Sequence, residues 1–270
     1  MGASTSRTTR SERHEAARLK AVELKQRQQR RESRNRLITL VSVVVGLAVV
    51  AALVVVIVKQ GTRPPAVTAA GPVTATAAAG GIPFGAGGTA GTVNDGAVNV
   101  TVYVDYMCPN CGHFETVNSA NLDALRESGD ITLVVHPVAI LDSGSQGTRY
   151  STRAAAAFAY VADKDPAHAL GFSARLFADQ PAEGSTGLTD ERLAELARAA
   201  GVADDVATSA VGGAFADWVT ESTDVAVQTE ALQGARGFGT PTILLDGTRY
   251  DGDWSDADAF KADIEALVER

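Results

Sequence analysis

Residues 37–58 read LITLVSVVVGLAVVAALVVVIV, twenty-two positions without a charge in a chain of 270. No other stretch limits the possible structures so strongly. Inside a bilayer every backbone N–H and C=O must be bonded within the protein, so a single spanning segment has to be a helix. At about 1.5 Å per residue, twenty-two residues make a helix of about 33 Å, enough for a hydrocarbon core of about 30 Å. A buried soluble helix can be equally apolar, but it is seldom this long or placed directly after a basic block. Residues 7–36 hold eleven Lys/Arg against four Asp/Glu, a surplus of seven positive charges. The positive-inside rule then puts residues 1–36 in the cytoplasm and everything after residue 58 outside. A cleaved signal peptide would have a shorter charged region and an apolar core of about 7–15 residues. The A-x-A-like sites in ATAAAGG lie well beyond the run. The expectation is an uncleaved, single-pass anchor at residues 37–58, with its N-terminus cytoplasmic and the rest of the protein on the outer face of the cell membrane.

Charge separates the two sides of that anchor. Residues 64–270 carry eleven Lys/Arg and twenty-eight Asp/Glu, so the formal net charge of −8 averages two unlike pieces. The basic tail has no aromatic residue among its cations, which argues against nucleic-acid binding. Its charges suit anionic lipid, at about 1 kcal/mol each near the surface. Residues 59–91 are rich in Ala, Gly, Thr and Pro and show no periodicity. Such a segment buries too little surface to order itself; as a flexible coil of this length it spans roughly 30 Å. It reads as a spacer, with GIPFG as a short edge strand belonging to the folded head.

That head is expected over residues 92–270. AVNVTVYVDY alternates, with Val98, Val100, Val102 and Val104 on one face, and reads as a strand. PNCGHFETVNSANLDALRES reads as a helix with Phe114, Val117, Leu122 and Leu125 near one face and Gly129 as its stop. DITLVVHPV is a second strand, parallel to the first because a helix intervenes. Residues 146–234 are helical in pattern and too long for one crossover, so they form a lid or subdomain; Thr189 is an expected N-cap and Gly201 a stop. Strand signals return at TPTILLDGTRY, where Asp246-Gly247 suits a two-residue hairpin turn. The last segment is a helix with Ser255 and Asp258 spaced as a capping box. Strand, helix, strand, helical block, hairpin and helix together predict an α/β fold with a central sheet covered on both faces.

The chain's two cysteines, Cys108 and Cys111, stand in YVDYMCPNCGHF between the first strand and its helix. Structural zinc wants four N/S ligands. No third cysteine exists, and the four histidines (His14, His113, His136, His168) include no H-x3–5-H pair. A structural staple across so short a loop contributes only about 2 kcal/mol, which a head of this size hardly needs. The redox reading explains the placement. Cys108 falls at or near the N-cap, where unpaired N–H groups and the macrodipole favour a thiolate. The thiolate is both the attacking species and the better leaving group. Pro109 suits the first helical position, and Cys111 lies within the same turn.

With Cys108-Pro109-Asn110-Cys111, its flanks DYMCPNCGHF, and GTPT at residues 239–242, the chain resembles the DsbA-like branch of the thioredoxin superfamily, and actinobacterial secreted or anchored members in particular. The resemblance covers residues 97–270. It implies a thioredoxin fold with a helical insertion subdomain, and thiol–disulfide exchange with Cys108 as nucleophile and Cys111 as resolving thiol. It also implies a cis proline at Pro241 facing the disulfide, and a Thr240 backbone that pairs with extended substrate. No metal or organic cofactor is implied. The implied partners are exported proteins with cysteines and a membrane quinone-linked oxidase of the vitamin K epoxide reductase-like type. The chain departs from the pattern at Val102, where many relatives carry a buried acid six residues before the first cysteine. Asp105 is expected as a solvent-side or turn residue, His113 at an exposed position, His136 at a strand end, and Trp218 and Trp254 in packing. A reductase or isomerase on the same fold, or a redox-inert anchored binding or chaperone module, are the alternatives to an oxidase.

Overall fold

The computed structural model describes residues 45–46, 49–50, 67–76 and 80–269. The chain divides into two units, Met1–Arg63 and Pro64–Arg270. The expected basic tail, residues 1–36, lies outside the described residues, as does most of the expected span at 37–58; residues 45, 46, 49 and 50 are helical. No helix among the described residues is long and apolar enough to cross a membrane.

The second unit is built on a five-stranded sheet in the order β1-β3-β2-β4-β5. Its strands are β1 Ile82–Phe84, β2 Val98–Val104, β3 Ile131–Pro137, β4 Thr242–Leu245 and β5 Thr248–Arg249. β2 and β3 are parallel, with Val98 opposite Ile131, as the intervening helix α1 (Pro109–Ser128) requires. The other pairings are antiparallel. The four alternating valines of β2 are all buried. Asn99 on the opposite face is exposed, yet Tyr103 on that face is buried in a second apolar cluster with Val138, Ala226 and Leu232. The strand is therefore covered on one side where it begins and on both where it ends. The cysteines come directly after the doubly covered end.

Local signals decide the terminations. α1 stops at Gly129, whose φ of 91° lies in the left-handed region that a Cβ disfavours. The β4–β5 turn has Asp246 at φ 47° and Gly247 at φ 78°, the two positive values of a type I′ turn. Asp246 also exchanges bonds with Asn99: its backbone N–H donates to the Asn99 carbonyl, and its Oδ1 accepts from the Asn99 N–H. Between β3 and β4 run α2 Tyr150–Lys164, α3 Ala169–Ala178, α4 Asp190–Ala199, α5 Asp204–Ala210 and α6 Ala216–Gln228. The alanines from 154 to 157 and Ala159 are buried in α2, and their small side chains let α3, α5 and α6 all pack against it. Thr189 caps α4 as expected, accepting from the Arg192 N–H. The last helix, α7 (Ala257–Val268), is capped one residue later than expected: Asp256, not Ser255, accepts from the Ala259 N–H. The Ser255 hydroxyl is instead bonded to Asp253.

The edge strand expected at GIPFG is β1, and the contacts of the head reach back before it. Ile82 and Phe84 of β1 are fully buried, and β1 forms the sheet edge against β3. Val67, Ala69 and Ala75 pack on the core. The Glu221 carboxylate accepts from the N–H groups of Thr68 and Ala69, and Asp163 accepts from that of Val73. Composition suggested a spacer because this segment has no apolar stripe of its own. It is ordered by acids on α6 and α2 that bond its backbone.

Arg126 joins the two ends of this architecture. Its side chain is 6% exposed, and its Nη1 donates to the carbonyls of Gly85 and Ala86 at 2.9 and 2.8 Å, just after β1. Removing it takes a charged donor from both carbonyls and leaves Gly85 with the Gly88 N–H alone; hydrogen bonds to charged groups contribute roughly 1.5–3 kcal/mol each. Arg126→Ala should lower the unfolding free energy by about 2–4 kcal/mol, read as a shift of the denaturation midpoint at unchanged slope.

Candidate active site

Cys108 is the residue at which extended backbone becomes helix. It has φ −76° and ψ 117°, with Pro109 at the first helical position. Its carbonyl accepts from the N–H groups of Cys111 and Gly112 at 3.0 and 3.2 Å, closing the first turn. That turn leaves the N–H groups of the helix start available to a sulfur at position 108. Cys108 is 7% exposed and Cys111 is 0% exposed, and both are free thiols in this structure.

The β2–β4 ladder supplies the other half of the site. Tyr103 pairs with Thr242, which carries the two residues before β4 to the start of α1. Thr240, separated from Cys108 by 132 positions, accepts a hydrogen bond from the Cys108 thiol at its carbonyl, at 3.3 Å. The Thr240–Pro241 bond is cis. The structure thus brings Cys108, Cys111, Thr240 and Pro241 together.

The two thiols sit in opposite electrostatic situations. The Cys108 thiol is lowered from 9.0 to about 6. The largest cause is the hydrogen bond from Cys111, opposed by burial and reinforced by Thr240 and the N–H groups of Cys111 and Asn110. The Thr240 hydroxyl is buried with no hydrogen-bond partner of its own, and Thr240 acts on both sulfurs. Burial pushes the Cys111 thiol well above the ordinary range, and its interaction with Cys108 pushes the same way. Of the two sulfurs, Cys108 gives up its proton the more readily.

Asp105 is not on the solvent side. It is 0% exposed, and its carboxylate accepts from the Met107 N–H and the Leu141 N–H, each at 2.9 Å. Burial raises its pKa, while Ser151 and these two N–H groups oppose the rise. Asp105 is a turn residue, but one that staples the loop before Cys108 to the loop after β3. His113 is exposed, edge-on to Trp254 at 5.7 Å. His136 is buried and stacks on Tyr103 at 4.2 Å across the β2–β3 pairing. Trp218 is buried against Gly71, and Trp254 packs on Phe114.

Two residues of the site carry no signal in the sequence. Gln180, just after α3, donates from Nε2 to the carbonyls of Cys108 and Tyr106 at 2.9 and 3.2 Å. A Cβ at position 112 would collide with its amide, so Gly112 is what lets the insertion approach α1 this closely. Along α1, from Phe114 to Arg126, a cavity of about 290 Å³ is lined by Val102, Val104, Glu115, Ser173 and Phe177 among others. Burial raises the Glu115 carboxyl from 4.5 to about 7, with Asp123 adding to the rise. No group of three or more His, Cys, Asp or Glu that could hold a metal occurs among the described residues.

Comparison with known proteins finds the same fold. A family model described as thioredoxin matches residues 93–266. The chain is similar to the reduced disulfide bond oxidoreductase DsbG from Mycobacterium tuberculosis, with 30% identity, a TM-score of 0.58, and coverage of 70% of this chain and 88% of that one. It is equally similar to oxidised DsbA from the same organism, with 31% identity, a TM-score of 0.58, and coverage of 70% and 93%. Among curated proteins it matches the serine/threonine-protein kinase PknE of Mycobacterium tuberculosis, 30% identical over 148 residues. That match covers 53% of this chain and 26% of PknE, so the chain spans about a quarter of that relative's length.

The thiol asymmetry has a direct readout. Alkylation of the reduced protein should modify Cys108 with an inflection at about pH 6, while Cys111 stays unmodified through neutral pH. An inflection near pH 9, or faster labelling of Cys111, contradicts the arrangement described.

Proposed function

The chain belongs to the thioredoxin family, and on that premise we propose that it is a DsbA-type thiol–disulfide oxidoreductase that oxidises cysteine pairs in exported proteins. The observation that carries this reading is the opposed state of its two thiols, Cys108 lowered to about 6 and Cys111 raised. In the oxidised enzyme a substrate thiolate attacks Cys108. The Cys108–Cys111 bond breaks, and its electron pair leaves on Cys111, which takes up a proton. The substrate's second thiolate then attacks its own sulfur in the mixed disulfide and releases Cys108 as a thiolate. The substrate has lost two electrons and the enzyme disulfide has become a dithiol. Thr240 and Pro241 border Cys108 and clamp the extended substrate segment.

The direction follows from the leaving group. A thiolate stabilised at Cys108 leaves readily and favours the reduced enzyme, which makes the disulfide a strong oxidant. With a folded value of about 6 against 9.0 for an ordinary thiol, the unfolded reduced chain binds more protons between these values. The reduced form therefore gains stability as pH rises above about 6 and loses that gain as pH falls through it. Residues 37–58 hold the enzyme at the cell membrane with its head outside. A membrane quinone-linked oxidase of the vitamin K epoxide reductase-like type returns it to the disulfide.

With a reduced, unfolded test protein, Cys111→Ser should accumulate mixed disulfides on Cys108, visible on a non-reducing gel. Cys108→Ser should trap few and abolish turnover. Trapping that follows Cys111 reverses the roles. A reduction potential above about −200 mV is expected of an oxidase; one below about −250 mV would replace it with a reductase on the same residues. The topology has its own check. A reporter that works only outside the membrane should be active when fused after Arg270, and activity of a cytoplasmic reporter there overturns the location.

A further inference from the structure

From residue 64 onward the chain carries twenty-eight acids against eleven bases, so its cations have no shortage of partners. Among the described residues of the second unit, every Lys and Arg except Arg175 and Arg236 is held in an ion pair with a carboxylate. Arg175 lies on α3 beside Ala199 and Ala200, in a shallow hollow that no residue of the active site lines. Arg236 stands four positions before Thr240. It is exposed, and its guanidinium meets no acceptor among the described residues.

The backbone holds Arg236 in place. Gly234 and Gly237 exchange both of their backbone hydrogen bonds, each at 3.1 Å, which closes a tight turn with Ala235 and Arg236 at its tip. Gly237 completes the turn at φ 94°, where a Cβ is disfavoured. Arg249 on β5 braces the turn from both sides. Its Nη1 donates to the Leu232 carbonyl before the turn and to the Thr242 hydroxyl after it, at 3.1 and 3.2 Å. A Cβ at position 234 would come within 2.7 Å of the Arg249 Nη2, so Gly234 leaves room for this brace. Phe238 anchors the chain beyond the turn, edge-on to Tyr103 at 5.8 Å. The turn, Thr240, Pro241 and Arg249 line one open pocket of about 420 Å³. Its charged groups are Arg236, Arg249 and Asp251, and Asp251 is taken up by Arg249 at 2.9 Å. The uncompensated charge beside Thr240 and Pro241 is therefore positive, on a head whose total charge is strongly negative.

We propose that Arg236 is a specificity-determining residue, which selects substrate segments with an Asp or Glu a few positions from the cysteine that attacks Cys108. Thr240 borders the reacting sulfur, since its carbonyl accepts from the Cys108 thiol at 3.3 Å. An extended segment laid along Thr240 advances about 3.3 Å per residue, so Arg236 meets side chains up to about four positions from the substrate cysteine. Two fields oppose each other there. Acids spread over the head repel an acidic substrate, but at about 0.15 M salt exposed charges more than about 8 Å apart are largely screened. A carboxylate in contact with Arg236 lies inside that distance. The near cation decides the preference, and the selected segment is acidic although the protein is too.

The inference rests on the exchange reading above, and the experiment separates the two. The oxidised full chain is mixed with reduced peptides whose two cysteines lie well apart, and loss of peptide thiol is timed at about 0.15 M salt. Asp, Asn or Lys is placed in turn at each of about four positions on either side of one cysteine. Each rate is divided by that of the same peptide with hydroxyethyl disulfide, an uncharged reagent, which removes the effect of the added charge on the peptide's own thiol. At one position or more, Asp should react about two- to fivefold faster than Asn, the range of an exposed ion pair, and Lys should react more slowly. Arg236→Gln should bring the Asp and Asn rates together, and Arg236→Glu should reverse the order of Asp and Lys. Because Arg236 is exposed, both variants should melt with wild type. If Asp is no faster than Asn at any position, or if Arg236→Gln keeps the difference, Arg236 does not select the substrate. If wild type oxidises none of the peptides, the Asn series included, the exchange reading fails and this inference falls with it.

Discussion

The antiparallel ladder between β2 and β4 is the constraint on which the rest of this site depends. It is short, four residue pairs from Val100–Leu245 to Tyr103–Thr242. Side chains alternate along a strand, so a slip of one residue would turn Ile243 out of the core and the polar Thr242 into it. The buried valines of β2 hold the register, and the Asp246–Asn99 bonds extend it past the hairpin. Only in that register does the Thr240 carbonyl meet the Cys108 sulfur. The reactive centre is a by-product of core packing: two segments far apart in the chain are aligned by apolar contacts that take no part in the chemistry.

Within that frame, the difference between the thiols comes from position along one helical turn. Both sulfurs are largely buried, and burial alone raises a thiol's pKa. At Cys108 the hydrogen bond from Cys111, Thr240 and the first N–H groups of α1 together outweigh it. Three residues further on, Cys111 has fewer such donors and complete burial, and burial wins. A single dielectric environment thus yields two opposite outcomes, decided by the donors within reach. The same logic explains Glu115, where no donor opposes burial.

Much of this was legible in the sequence, and the exceptions share a cause. The parallel β2–β3 pair, α1 and its glycine stop, the Asp246-Gly247 turn and the cysteine pair are all carried by local pattern. They depend on residues a few positions apart. The burial of Asp105 is set by the Leu141 N–H, the role of Gln180 by the Cys108 carbonyl, and the ordering of residues 67–69 by Glu221. Each is a polar bond between distant segments, for which neither periodicity nor composition has a signature. The cap of α7 moved by one residue because Asp253 claims the Ser255 hydroxyl, a choice between two adjacent acceptable caps. Tyr103 escaped the simple alternation of β2 because α6 arrives from the insertion to cover its face.

The amide of Gln180 bears on how this architecture can be taken apart. It spans from the helical insertion to the carbonyls of the two residues that frame Met107. The insertion is therefore welded to the hinge of the reactive turn and is not a detachable ornament on a minimal sheet. A trimmed catalytic core, joined from β3 directly to β4, would carry both cysteines and the proline loop but would leave the Tyr106 carbonyl without its Gln180 donor and the Cys108 carbonyl with its helical N–H partners alone. Anyone grafting this redox centre into another scaffold would need to transplant the strut along with the sulfurs.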